Sequence, residues 1–130
     1  MKVIVSIFFL LCSLIGFSQT KIDSLIQVYN KNKDTNAVNA AINLCIEYSA
    51  NDNKKAIEFG KKAFLLAEKI NFEFGIANAS KELAISFYYL SMPDSAEYYL
   101  EIAHKIFKKL ERKRQLADVL VLEGIIFDYK

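Results

Sequence analysis

Apolar side chains along this 130-residue chain recur mostly three or four positions apart, the spacing of one helix face. Ile22, Leu25, Ile26 and Tyr29 form such a stripe and predict a lead helix over 21–31. Asp34 and Thr35 then offer side-chain oxygens to cap a helix that runs to about Ser49. Asn51-Asp52-Asn53 reads as a turn into a helix over 54–70, and Asn71 interrupts the chain before one over 72–90. Ser91-Met92-Pro93-Asp94 is a sharp turn into a helix over 93–109. Pro93 fits that first turn because its missing N–H would have no intrahelical partner there. A last helix starts near Lys113 and carries the apolar stretch VLVLEGIIFDYK. No segment reads as a strand, a linker or low complexity.

The pattern repeats. Leu44-Cys45-x-x-Tyr48 recurs as Leu83-Ala84-x-x-Phe87 and again as Glu123-Gly124-x-x-Phe127. Ala56 and Ala63 recur 40 residues later as Ala96 and Ala103. Small side chains let paired helices approach closely, and the large ones fill the space between them. Residues 34–130 thus divide into units 34–71 and 72–111 and a partial unit 112–130, each full unit a pair of helices.

These residues resemble the tetratricopeptide repeat (TPR) family, with its bulky–small–x–x–aromatic run on the first helix and small residues seven apart on the second. The resemblance covers about residues 34–130. It departs from the family pattern at Ser80 (usually tryptophan), Gly60 and Leu100 (usually aromatic), Glu123 (usually leucine) and Lys108 (usually proline). Units near 40 residues also exceed the family's usual length of about 34. The resemblance implies an all-α fold: a right-handed superhelix of antiparallel helix pairs, an α-solenoid of about two and a half repeats after a lead helix over 19–33.

Composition adds a leader. Lys2, the apolar run of 15 residues over 3–17, and Gly16 and Ser18 at the cleavage positions read as a secretory signal peptide over 1–18. Fifteen residues fall short of the ~20 that a spanning helix needs, although an uncleaved anchor stays open as an alternative. Bulky Leu10 and Leu11 before Cys12 argue against lipidation there. Cleavage after Ser18 would place the chain outside the cytoplasm, periplasmic or secreted, with Cys45 as its sole cysteine and no internal disulfide. Removing Lys2 from the 17 Lys and Arg leaves 16 against 15 Asp and Glu, a near balance that gives no case for nucleic acid as partner. A membrane enters only through an uncleaved leader or a missing C-terminal part.

The search for chemistry returns little. His104 is the sole histidine, with no second His or Cys at ligand spacing, so it reads as a surface residue. Phosphate loops, H-E-x-x-H and G-x-S-x-G are absent from the sequence. Cys45 occupies a small-residue slot and reads as a buried structural thiol. KIFKKLERKR (105–114) holds six cations and one anion. It reads as a solvated helix end, where the dipole favours cations, rather than as a docking patch. The expectation is no catalytic residue, no cofactor and no metal.

What remains is recognition. The resemblance implies that the first helix of each unit lines a concave face that binds a protein or peptide. Its outward positions are Asn39, Ile42 and Asn43 in one unit, and Asn78, Lys81, Ile85, Tyr88 and Tyr89 in the next. Tyrosine supplies stiff area plus a hydroxyl, as recognition surfaces favour. The family variety that clamps a C-terminal carboxylate is not implied, since only Lys81 matches it and Ile85 stands where an asparagine is expected. The expected function is a non-enzymatic, extracytoplasmic interaction or scaffold module. The alternative is the N-terminal sensory region of a bacterial signal-transduction protein, a histidine kinase or helix-turn-helix regulator with its output domain beyond Lys130. The apolar face of 119–130 makes the third unit read as truncated or completed by a partner.

Overall fold

A computed structural model describes residues 1–129; the side chains at 5, 6, 8–18 and 129 lie outside the described set. Most of the expected leader, with Cys12 and the residues before the cleavage point, falls on those side chains. The described backbone is all-helical: α1 (Lys2–Lys31), α2 (Thr35–Ser49), α3 (Asn53–Lys69), α4 (Glu73–Tyr89), α5 (Pro93–Lys109) and α6 (Lys113–Tyr129). The α1 helix runs unbroken across the expected junction of leader and lead helix.

Helix starts follow the capping residues. The Asp34 carboxylate accepts from the N–H groups of Asn36 and Ala37, and Asp52 accepts from Lys55 N–H, so orphan donors at the N-termini of α2 and α3 are satisfied. Pro93 sits at the first turn of α5.

Helix ends follow one rule three times. Asn71, Ser91 and Glu111 lie twenty residues apart and share a left-handed backbone, with φ of 55°, 56° and 53°. At each, two N–H groups reach back into the finished helix. Asn71 and Phe72 donate to the carbonyls of Glu68 and Ala67, Ser91 and Met92 to Tyr88 and Phe87, and Glu111 and Arg112 to Lys108 and Phe107. This pairing is the Schellman motif, which satisfies carbonyls that the helix leaves open. Three-residue turns of one conformation thus separate helices of one length, 17 residues each from α3 to α6.

Each helix packs on the next, and α2, α4 and α6 also touch in succession. The seams are lined by fully buried alanines, among them Ala56 and Ala63 on α3, Ala84 on α4, and Ala96 and Ala103 on α5, with Leu44, Leu83, Leu100 and Phe107 filling the space between. Gly60 is needed at its seam, because a Cβ there would stand 2.7 Å from Leu83 Cδ2. The apolar stripe expected on the lead helix meets the helices that follow: Ile22, Leu25 and Ile26 pack on Leu44, Cys45, Ala56 and Phe59, and Tyr29 packs on the neighbouring cluster around Val38.

The ring contacts repeat with the sequence. Tyr48 stacks on Phe59 with centroids 5.6 Å apart and planes at 8°, and Phe87 stacks on Tyr99 at 5.6 Å and 7°. A third ring from the preceding helix meets each stack edge-on, Tyr29 against Phe59 at 88° and Phe64 against Tyr99 at 84°. Offset and edge-on arrangements of this kind suit the charge distribution of aromatic rings.

Candidate functional site

The candidate residues distribute over α2 and α4. Asn39 and Asn43 are exposed on α2, whereas Ile42, expected on the same outward face, is buried against Ala63, Ala67 and Ala79. The reason is that α2 has two neighbours on that side, α3 and α4, and Ile42 faces the seam they share. On α4, Asn78 and Lys81 are half-buried, and Lys81 Nζ lies 3.1 Å from Glu82 Oε1.

Ile85, Tyr88 and Tyr89 come together. With Ala84 they form one wall of a cleft of about 180 Å³, and Leu122, Ile125 and Ile126 of α6 form the other. The tyrosine rings lie 5.8 Å apart, and Tyr89 is 62% exposed. The cleft lining is otherwise aliphatic, with Tyr88 and Tyr89 as its residues that carry a polar atom on the side chain. Asn39, Asn43, Asn78 and Lys81 do not line it. Leu122 and Ile125 complete it and escape a reading of α4 by itself. Their signal in the sequence is the three-residue step from 122 to 125, which puts both on one face of the last helix.

A second, larger concavity lies at the α5–α6 end. Glu97, Leu100 and Glu101 of α5 and Leu120, Glu123, Gly124, Ile126, Phe127 and Asp128 of α6 enclose about 590 Å³. An added Cβ at Gly124 would meet nothing within 4 Å, in contrast to Gly60.

His104 is half-buried rather than on the open surface, with Nδ1 2.8 Å from Glu123 Oε1, so it ties α5 to α6. Among the described residues no group of three His, Cys, Asp or Glu could hold a metal ion. Cys45 is buried 3.9 Å from the Ser86 hydroxyl, and burial pushes its thiol up to about 12. A thiol held neutral in this way is a poor nucleophile. Within the basic stretch over 105–114, Lys105 pairs with Glu101, Lys109 with Glu73, Arg112 lies over the Phe74 ring, and Phe107 is buried in the core. Among the described residues no helix is long and apolar enough to cross a membrane.

No protein-family model matches the chain, and no curated protein matches it.

Proposed function

We propose that this chain is a non-enzymatic, extracytoplasmic protein-interaction module built from tetratricopeptide-like helix pairs that stack into a right-handed superhelix. The observation that carries this reading is the recurrence of the Tyr48–Phe59 stack as Phe87–Tyr99, with the same separation and tilt one unit later. A repeated contact between the two helices of each unit is what a stack of equivalent units produces. The burial of Cys45 and Ala84 at the matching close-approach positions supports the same register.

In this reading α2, α4 and α6 line the concave face, and the cleft of Ile85, Tyr88, Tyr89, Leu122 and Ile125 is where a protein or peptide segment binds. An aliphatic lining with the exposed Tyr89 beside it suits a peptide with one apolar anchor side chain. Asn39, Asn43, Asn78 and Lys81 lie outside the cleft lining and would contact the flanks of a longer ligand.

The test is co-purification from envelope extract with the chain carrying an affinity tag at its C-terminus. Partners lost together from Tyr89→Ala and Ile125→Asp, but retained by Leu65→Ala on an exposed position of α3, would place binding at the cleft. Equal recovery by all variants refutes it. N-terminal sequencing of the exported chain should read Gln19 first; an intact Met1 in the cytoplasmic fraction would remove the extracytoplasmic part of the proposal.

A further inference from the structure

The turns that end α1, α3 and α5 lie on one edge of the molecule. Tyr29 near the end of α1, Val38 near the start of α2, and Ile70 and Phe72 of the α3–α4 turn share one apolar cluster. Lys109 at the end of α5 pairs with Glu73 at the start of α4, and Arg112 lies over the Phe74 ring. The fold thus gathers Lys31, Lys69, Lys108, Lys113 and Arg114 into one row, although the sequence by itself shows only the 105–114 cluster.

All five are exposed. Among the described residues, none of these side chains has a hydrogen bond, an ion pair or an aromatic ring as partner. The carboxylates at these turns are fewer and partly engaged. Asp34 caps α2 and Glu73 holds Lys109, which leaves Glu68 and Glu111 exposed. The net charge of the chain is only +2, so the row arises from segregation of charge rather than from an excess.

Geometry and composition narrow the partner. Packed helices lie about 8–10 Å apart, so alternate turns stand about 16–20 Å from each other. One small anion cannot bridge that distance, whereas an extended anionic surface meets every turn at once. The large apolar side chains that are exposed lie elsewhere; the turns 31–35, 68–73 and 108–114 hold none of them. A protein interface draws its energy from apolar and aromatic anchors, which this edge lacks. All but one of the five cations are lysines, hydrated point charges on flexible stems. They suit a fluid layer of headgroups better than a fixed bidentate partner.

Both ends of the chain lie at the opposite edge. The leader joins α1 there, where Lys21 pairs with Glu47 near the end of α2, and Asp128 shares a groove with Glu97 near the start of α5. The row shares no residue with the α4–α6 cleft.

We propose that this edge docks the chain electrostatically on an anionic phospholipid surface, with Lys31, Lys69, Lys108, Lys113 and Arg114 among the headgroups. The proposal stands whether or not the leader is removed and whether or not the cleft is used.

The test is co-sedimentation of the chain with phosphatidylcholine vesicles, with and without phosphatidylglycerol. The readout is the fraction released by salt of about 1 M, where screening reaches only about 3 Å. A retained leader, which inserts whatever the headgroup charge, is not counted. Salt-released binding is expected only with phosphatidylglycerol. Lys108→Gln with Lys113→Gln should weaken it about tenfold or more, as should Lys31→Gln with Lys69→Gln, since each cation near such a surface contributes about fivefold. Lys54→Gln with Lys55→Gln removes the same charge at the start of α3, on the opposite edge, and should retain most of the binding. Circular dichroism checks that each double variant folds. The proposal is overturned by absence of salt-released binding, by equal binding to neutral vesicles, or by equal loss in all three double variants. Full binding by Lys31→Gln with Lys69→Gln refutes the shared row. Binding to polyphosphate chains without binding to vesicles overturns it too, since the ligand is then a soluble polyanion.

Discussion

Gly60 and Leu83 lie in such close contact that a methyl group on Gly60 would stand 2.7 Å from Leu83 Cδ2 and 3.2 Å from Cys45 Sγ. Leu83 is fully buried, so its side chain can give way only by displacing the groups packed around it. Gly60→Ala is therefore expected to destabilise by about 1–3 kcal/mol despite alanine's better helix propensity. Gly124→Ala makes the reverse case. With no neighbour to strike, it should be neutral or stabilising by up to about 1 kcal/mol. Urea melts of the two variants side by side check the pair, and equal shifts would contradict the packing at Gly60.

Ser91 and Glu111 hold left-handed backbones that glycine adopts without strain. Ser91→Gly and Glu111→Gly should each stabilise by roughly 0.5–1 kcal/mol, the relief of strain exceeding the entropy that glycine adds to the unfolded chain. Asn71→Gly should gain less, because asparagine already tolerates this conformation. Thermal unfolding monitored by circular dichroism gives the ranking.

Burial raises the Cys45 thiol from its ordinary 9.0 to about 12; the Ser86 hydroxyl opposes that shift, and Glu82 adds to it. The folded state thus keeps the proton after the unfolded state has released it. Stability from this group is full below pH 9 and falls as pH rises from there toward 12. Between pH 7 and pH 10 the wild type should lose about 1 kcal/mol more than Cys45→Ala, as read from urea midpoints. Iodoacetamide at pH 8 should label Cys45 only at the rate of unfolding.

Ala96 and Ala103 have no accessible surface and face α4. Replacing either by leucine should overpack that seam and cost roughly 1–3 kcal/mol. Replacing exposed Tyr98 on the same helix by leucine should change the melting temperature little. A melting curve unaltered in Ala96→Leu and Ala103→Leu would contradict the register of the helix pair.

Much of this architecture is legible from short-range chemistry. Asp34, Asp52 and Pro93 mark helix starts because capping is local, and the Leu44/Leu83 recurrence sets the phase of the pairing. Ile42 shows where such reading stops: periodicity gives the direction of a side chain but not how many helices lie in that direction. The ring stacks were also hidden. Family expectation looks for the aromatic at Gly60 and Leu100, while the chain carries it one position earlier, at Phe59 and Tyr99. One residue turns a helix by about 100°, enough to aim a ring at a different neighbour. His104 reads as a surface residue because its partner, Glu123, is 19 positions away on another helix.

The turns at Asn71, Ser91 and Glu111 have one conformation whether they close a helix pair or join two pairs. From α3 to α6 the backbone thus does not record which helices are partners; the side chains do. A tandem duplication of 20 residues would continue the same path yet set filler against filler, whereas one of 40 would restore every seam. From α3 to α6 the path turns at every helix, whereas its ring stacks recur only at every second one.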